Sequence, residues 1–344
     1  MSSYSLIEAL GSGRPLLLDG GMGTTMREQS LTASEAHEAF LAAGAEIITA
    51  DTVAFATALT GEKTRQMLAE VRGCVQAALD ARSSYLTNHP GRPIRVAGSV
   101  GPLPAGFESR LPDALSIYRR MADALASAGA DIILIETATN PEVARMALRA
   151  AREVAPGLPA ILSAWLPAES LFSSPVRTCA DSCGFSPALY GAVACEEGAV
   201  AAGLNCVPPT PAMLEALTLL QAQSGLPGVF YPSIPAGFSP EAFSEFISSA
   251  FHRLPTPPAI LGGCCGASPA HLSSLHALPF FIKESRRFKE VKDSRGSKDS
   301  KDIKDSKVVQ ITKALEKPKE GDIHDTFKLG FRLSVNILYL CTYV

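Results

Sequence analysis

Short apolar runs, many of them rich in β-branched residues, alternate with longer alanine- and leucine-rich segments along the first 282 residues. Short runs in which apolar residues dominate are typical of parallel strands buried on both faces, and the longer segments have helical spacing. The predicted strands are 16–19, 46–49, 95–99, 131–136, 159–165, 199–205, 228–231 and 258–261. The predicted helices are 32–43, 62–83, 113–128, one from 141, 187–197, 211–223, 240–251 and one beginning near 268.

Local signals at the helix ends support these boundaries. Gly44 and Gly129 follow two of the predicted helices, where a residue with left-handed backbone conformation commonly ends a helix. Asn140 followed by Pro141 is a typical N-cap and first helical residue. Eight strand–helix units in about 265 residues predict an α/β fold, a closed (β/α)8 TIM barrel. A doubly wound open sheet is the alternative.

In a barrel of this kind, functional residues lie at the carboxyl ends of the strands. Several polar residues of the sequence stand at these positions. Asp19, Asp51, Ser99, Glu136 and Asn205 end or directly follow strands 1, 2, 3, 4 and 6, and the sequence GGCCG (262–266) follows strand 8. The sequence therefore predicts that these groups meet at one rim.

The charge distribution divides the chain in two. Residues 1–282 carry 16 basic and 24 acidic side chains, a formal charge of −8, whereas residues 283–344 carry 15 and 10, a formal charge of +5. Between 283 and 307, 16 of 25 residues are charged and show no apolar periodicity. We expect a barrel domain over 1–282 and a disordered, low-complexity tail over 283–344. An acidic body argues against nucleic acid as a partner.

The sequence contains no recognisable targeting signal. Its start lacks the basic and apolar regions of a secretory signal, and no stretch of 18 apolar residues would span a membrane. We therefore expect a cytoplasmic protein without a membrane partner. Eight cysteines in 344 residues are too sparse for a disulfide framework, so those that matter should bind metal or react.

Three cysteines stand at strand ends: Cys206 after strand 6, and the adjacent Cys264 and Cys265 after strand 8. Three thiolates with an open fourth position describe a catalytic zinc site, and an incoming thiol bound there would be held as a nucleophilic thiolate. No fourth cysteine or histidine stands at a matching strand end, which disfavours a structural zinc site. We interpret the other five cysteines as buried packing residues: Cys74, Cys179, Cys183, Cys195 and Cys341.

Two carboxylates form the second candidate feature. Asp19 and Glu136 end apolar strands, where an unpaired charge would be costly, and together they can hold an ammonium group across the barrel mouth. Backbone N–H groups of the segment that begins at Gly20 and Gly21 can hold a carboxylate. These residues describe an amino-acid site beside a thiol-binding zinc. Each acid, taken alone, is equally compatible with a helix N-cap or a salt bridge.

Four segments resemble the homocysteine S-methyltransferase family: LLLDGGMGTTM (16–26), IETATNPEVA (135–144), GLNCVPP (203–209) and ILGGCCGASPAHL (260–272). The resemblance covers about residues 14–280. It implies a (β/α)8 barrel in which Cys206, Cys264 and Cys265 bind zinc, Asp19 and Glu136 hold the amino group of homocysteine, and the backbone after Asp19 holds its carboxylate. It also implies methionine formation by direct methyl transfer from a sulfonium donor.

The chain length favours a single-barrel enzyme that uses S-methylmethionine, with S-adenosylmethionine as a further donor, since folate and cobalamin domains would not fit. Betaine as donor, selenocysteine or selenohomocysteine as acceptor, and a non-catalytic zinc- or amino-acid-binding barrel are the alternatives. Small molecules are the expected partners, and a homo-oligomer is compatible with the sequence. The chain departs from the family pattern after strands 2 and 7, at Ala50–Val53 and Tyr231–Ser233, where donor preference would be affected.

Overall fold

The computed structural model describes residues 5–59, 64–167 and 186–282. Eight parallel strands form one sheet in the order β1-β8-β7-β6-β5-β4-β3-β2. The strands are β1 Leu16–Leu17, β2 Ile47–Ala50, β3 Arg95–Val100, β4 Ile132–Ala138, β5 Ala160–Ala164, β6 Ala201–Asn205, β7 Gly228–Tyr231 and β8 Ile260–Leu261. Every strand predicted from the sequence is present, although the first and last are shorter than expected.

The sheet closes on itself between its first two strands. Leu18 forms a parallel bridge with Ile47, and the backbone N–H of Asp19 donates to the carbonyl of Ile47 at 3.0 Å. The N–H of Glu46 donates to the carbonyl of Leu17 at 2.8 Å on the other side of the same seam. The (β/α)8 barrel is therefore confirmed, and the open doubly wound sheet is excluded.

Helices surround the barrel and connect its strands. They are α1 Leu6–Leu10, α2 Met22–Gln29, α3 Ala33–Ala42, α4 Phe55–Ala58, α5 Thr64–Asn88, α6 Leu111–Ser127, α7 Pro141–Val154, α8 Pro187–Glu196, α9 Pro211–Ser224, α10 Pro240–Arg253, α11 Pro269–His276 and α12 Pro279–Ile282. The cap predicted at Asn140 is confirmed, since its side chain accepts hydrogen bonds from the backbone N–H groups of Glu142 and Val143. The short helices α1, α2 and α4 were not predicted.

Apolar side chains form two layers. The larger layer fills the space between the sheet and the outer helices, and the smaller one fills the barrel interior with inward residues such as Ile132, Leu134 and Val229. Leu6 and Leu10 of α1 belong to this interior layer, so α1 closes the amino end of the barrel. The amino end is therefore filled, and the carboxyl end is left for a pocket.

The last described helices complete the outer layer. Leu272 and Leu275 of α11 and Phe281 of α12 are buried against the core. The tail predicted over 283–344 lies outside the described residues, so its disorder and its boundary stay predictions. Within the part of the chain that the structure describes, no helix is long and apolar enough to cross a membrane.

Candidate active site

A cavity of about 370 Å³ opens at the carboxyl ends of the strands. Its walls come from the loops after β1, β2, β3, β4, β6, β7 and β8. The lining residues that carry chemistry are Asp19, Thr24, Arg27, Thr49, Asp51, Ser99, Glu136, Thr137, Cys206, Tyr231, Cys264 and Cys265. All the predicted site residues, including Gly20 and Gly21, line this one cavity.

The three predicted metal ligands meet in the cavity. The Sγ atoms of Cys206 and Cys264 are 3.1 Å apart, those of Cys206 and Cys265 are 3.5 Å apart, and all three lie within 4.8 Å of one another. Cys206 has a left-handed backbone (φ 56°), a conformation that is uncommon for residues other than glycine. The surrounding structure must therefore stabilise this backbone conformation at Cys206.

Two glycines allow the loop after β8 to bring Cys264 and Cys265 inward together. Gly266 has a left-handed backbone (φ 80°), and a Cβ atom there would lie 2.5 Å from the carbonyl oxygen of Ile234. Gly21 lies against the same loop, since a Cβ atom on it would be 2.8 Å from the carbonyl oxygen of Cys264. A side chain at Gly21 would force the cysteine loop away from the start of α2, and one at Gly266 would force it away from the segment that follows β7.

The thiols interact strongly with one another. Hydrogen bonds from Cys206 and Cys264 hold the pKa of the Cys265 thiol far below its ordinary value, whereas the same contacts and burial raise the pKa of Cys264. The cluster thus gives up one proton readily, whereas hydrogen bonding, burial and the negative charge of neighbouring groups make the Cys264 thiol retain its proton. A bound cation would relieve this repulsion, as expected for a metal site.

Asp19 is buried at the seam between β1 and β2, with 1% of its surface exposed. Its Oδ2 accepts a hydrogen bond from the N–H of Thr49 at 2.7 Å, and the Thr49 hydroxyl donates to the carboxylate at 3.0 Å. Burial nevertheless raises the pKa of Asp19 well above its ordinary value, and the nearby Glu136 raises it further. Neither hydrogen bond compensates fully for the loss of water around this carboxylate.

Glu136, near the end of β4, accepts hydrogen bonds from the hydroxyl of Ser99 and, at 3.3 Å, from that of Tyr231. Burial raises its pKa from about 4.5 to about 7. Asp19 and Glu136 are therefore a buried and a partly buried carboxyl group without a cationic partner among the described residues. A ligand that brings a positive charge between them would favour ionisation of both.

Asn205 connects the Glu136 carboxylate with the Cys264 thiol, to whose Sγ its amide donates at 3.8 Å, a role that the sequence analysis did not assign. Its amide group accepts hydrogen bonds at 2.9 Å from the N–H of Thr137 and the hydroxyl of Ser163, and donates to Thr137 Oγ1 at 2.9 Å and to Glu136 Oε2 at 3.4 Å. Thr137, like Cys206, has a left-handed backbone (φ 55°). The position of Asn205 at the end of β6, directly before a predicted ligand, was the available signal.

The backbone predicted to hold a carboxylate lies at the start of α2. The N–H of Gly21 donates to the carbonyl of Ala267 at 3.0 Å, and the first N–H bonded within the helix is that of Thr25. No side chain caps this helix, so the N–H groups of Met22, Gly23 and Thr24 are the donors available to an anion.

The remaining cysteines lie away from the cavity or outside the description. Cys74 is half-buried, and Cys195 is exposed on α8. The prediction that Cys195 is a buried packing residue is wrong, because the face of α8 on which it lies is turned to solvent. Cys179, Cys183 and Cys341 lie outside the described residues.

Comparison with known families and proteins gives a consistent result. A family model for homocysteine S-methyltransferase matches residues 16–278. A selenocysteine Se-methyltransferase from Brassica oleracea var. italica is 27% identical over 331 positions, which cover 79% of this chain and 91% of that protein. Homocysteine S-methyltransferase 3 from Zea mays is 24% identical, with coverage of 77% and 90%.

Solved structures show the same similarity. The metallated form of the homocysteine methyltransferase MmuM from Escherichia coli superposes with a TM-score of 0.63 and 25% identity, covering 78% of this chain and 97% of that one. Its apo form gives a TM-score of 0.62 and 27% identity. The similarity thus extends over the whole barrel.

Proposed function

Since the chain belongs to the homocysteine S-methyltransferase family, we propose that it transfers a methyl group from a sulfonium donor to the thiolate of homocysteine, forming methionine. S-Methylmethionine is the proposed donor, with S-adenosylmethionine as a second. One observation carries the proposal: three cysteine sulfurs and two carboxyl groups without a cationic partner line a single cavity. This combination matches a molecule that has both a thiol and an ammonium group.

The three cysteines fit a zinc ion. Tetrahedral zinc–thiolate bonds of about 2.3 Å place the sulfurs about 3.8 Å apart. The distances of 3.1 and 3.5 Å from Cys206 need only small side-chain adjustments to reach that value. Zinc held by Cys206, Cys264 and Cys265 would supply an open position where a substrate thiol is kept as thiolate, below its free pKa of about 8.5.

The carboxyl groups of Asp19 and Glu136 would bind the ammonium group of homocysteine. Their raised pKa values reflect burial without a cation, and the entering ammonium group provides the missing positive charge. In the segment that begins at Gly20 and Gly21, the backbone N–H groups of Met22, Gly23 and Thr24 would bind the substrate carboxylate, since the N–H of Gly21 already donates to Ala267. Thr49, Ser99 and Tyr231 keep the two acids in place through the hydrogen bonds described above.

Methyl transfer then requires little further chemistry. The substrate sulfur attacks the methyl carbon in line, its lone pair forms the new C–S bond, and the donor's C–S bond breaks as its sulfonium sulfur recovers an electron pair. S-Methylmethionine thereby becomes methionine. The thiol proton has already left when the substrate binds as thiolate, so the protein's residues orient the substrate and no general base is needed.

A selenol acceptor is the second candidate. The similarity to a selenocysteine Se-methyltransferase favours it, and a selenol would approach the three cysteines in the same way. Betaine as donor and a binding protein without turnover are the remaining alternatives.

Methionine formation by zinc-loaded protein tests the proposal. Homocysteine and selenocysteine would each be offered with S-methylmethionine, S-adenosylmethionine or betaine. We expect turnover of homocysteine with S-methylmethionine, its loss in Cys264→Ser, and no change in Cys195→Ser, a matched variant of an exposed cysteine. Turnover with betaine alone would disprove the proposed donor. Folded protein that contains one zinc ion but acts on none of these pairs would disprove the enzymatic function.

A further inference from the structure

Two oppositely charged side chains of the cavity, Asp51 and Arg27, have no role in the binding of homocysteine proposed above. Asp51 follows β2 and is half-buried, and Arg27 lies in the last turn of α2 and is exposed at the rim. Both line the cavity that contains the three cysteines. Arg27 lies on the helix that follows β1 and Asp51 follows β2, and these two strands are adjacent in the barrel. The two side chains therefore lie on the same side of the cavity opening.

The backbone around Asp51 is fixed by hydrogen bonds. The N–H of Thr52 donates to the carbonyl of Ala50 at 2.7 Å, and the hydroxyl of Thr52 donates to the carbonyl of Ser99 at 2.7 Å. Thr52 itself is fully buried. Asp51 therefore has a defined position between the ends of β2 and β3.

No described protein group pairs with the Asp51 carboxylate. Among the described residues it accepts no hydrogen bond and forms no ion pair, and the N-cap of the following helix α4 is Ala54, which makes no side-chain cap. Its charge raises the pKa of both Glu136 and the Cys74 thiol, so its titratable neighbours are acids. A half-buried carboxylate among acids costs free energy unless a cation binds to it.

Arg27 completes a pattern that fits a zwitterion. It forms no ion pair with Asp51 or with another described residue, which leaves its guanidinium available to a carboxylate. The cavity of about 370 Å³ is lined both by this pair and by the residues proposed to bind the methyl acceptor, so a molecule bound to Asp51 and Arg27 would lie in the same cavity as the acceptor.

We infer that Asp51 and Arg27 form the amino-acid end of the methyl-donor subsite, in which Asp51 accepts hydrogen bonds from the donor's ammonium group and Arg27 binds the donor's carboxylate. This inference rests on the proposed function. It assigns the donor to the class of α-amino-acid sulfonium compounds. Betaine, whose quaternary nitrogen has no N–H group, cannot donate a hydrogen bond to Asp51.

Two donors that differ in one group test the assignment. S-Methylmethionine has a sulfonium, an ammonium and a carboxylate group, and 4-(dimethylsulfonio)butanoate has the same carbon chain without the ammonium group. In the zinc-loaded full chain, Asp51→Asn should raise the KM for S-methylmethionine about 10- to 100-fold, the loss expected for one charge-assisted hydrogen bond. The KM for homocysteine and that for 4-(dimethylsulfonio)butanoate should change less than about twofold.

Arg27→Gln should raise the KM for both donors, because both have a carboxylate. Asp80→Asn is the matched control for the loss of one negative charge, since Asp80 is exposed on α5 and contacts Gln76. Asp80→Asn should leave the KM values for homocysteine and for both donors unchanged. Calorimetric titration of each variant with each donor measures the same preferences without turnover, and the zinc content of each variant is measured in parallel.

The outcomes separate the two proposals. Equal donor affinity in Asp51→Asn and the wild type would overturn the inference while leaving methyl transfer intact. An equal loss for both donors would also overturn it, because Asp51 would then interact with the sulfonium group. Binding of S-methylmethionine that depends on Asp51, without turnover, would support the subsite and disprove the proposed function.

Discussion

Replacing Glu136 with glutamine should stabilise the metal-free, ligand-free protein at alkaline pH and weaken its binding of homocysteine. Burial raises the pKa of Glu136 from about 4.5 to about 7, so the folded state favours the neutral acid. As the pH rises from about 4.5 to 7, the unfolded carboxyl group ionises and the folded one does not. Wild-type stability therefore falls over this range and stays lower above it.

The difference between these pKa values corresponds to about 3 kcal/mol of unfolding free energy above pH 7, and to less than about 1 kcal/mol at pH 5. Glutamine cannot ionise and keeps an acceptor for the Ser99 hydroxyl. We therefore expect Glu136→Gln to exceed the wild type by up to about 3 kcal/mol at pH 8, roughly 6 °C in Tm. The two proteins should be nearly equal at pH 5.

Urea unfolding at pH 5 and pH 8 in the presence of a chelator measures this difference in unfolding free energy. In a second experiment, titration calorimetry of the zinc-loaded proteins should show that Glu136→Gln binds homocysteine about 10- to 100-fold more weakly than the wild type. Glu197→Gln is the control. Glu197 is buried in the outer layer, where it pairs with Arg152 at 2.9 Å and more distantly with Arg145 and Arg149. Its loss should destabilise the protein at pH 8. If Glu136→Gln were no more stable than the wild type at pH 8, the argument from burial would be refuted.

Three further variants test the supporting residues of the site. Cys265→Ser should lower bound zinc from one ion to well below one per chain by metal analysis, with methyl transfer reduced at least about 100-fold, whereas Cys195→Ser should retain both. Asn205→Ala leaves several buried hydrogen-bonding groups without partners and should lower the unfolding free energy by about 3 kcal/mol in urea; a loss below about 1 kcal/mol would contradict the network. Gly266→Ala places a Cβ atom 2.5 Å from the carbonyl of Ile234 at φ 80°, so it should cost about 2 kcal/mol and reduce zinc binding, and an unchanged Tm would refute that strain.

The sequence predicted the barrel well because the relevant signals are local. Apolar runs marked all eight strands, and the cap at Asn140 marked the start of α7. The length of β1 was not predictable, because the apolar run 16–19 continues past the paired residues into the seam. Helix α1 was missed because five residues are too few to reveal a helical period, although its apolar face fills the amino end of the barrel.

The site was predictable in its chemistry and less so in its geometry. Cysteines and acids at strand ends could be recognised from position alone. The hydrogen bonds of Asn205 to Thr137 and Ser163 depend on how three neighbouring strands are staggered, and no short-range pattern records that stagger. The left-handed backbone at Thr137 and Cys206 depends in the same way on tertiary contacts.

The closure of the barrel between β1 and β2 has a consequence for how this protein can change over evolutionary time. The backbone of Asp19 bonds to Ile47 and its carboxylate bonds to Thr49, so one residue joins the two edges of the sheet and lines the cavity. A substrate bound by Asp19 would stabilise the pairing of β1 with β2 and so slow hydrogen exchange of the β2 amides. A lineage that replaces Asp19 to accept another substrate must therefore also find a new way to hold its barrel shut.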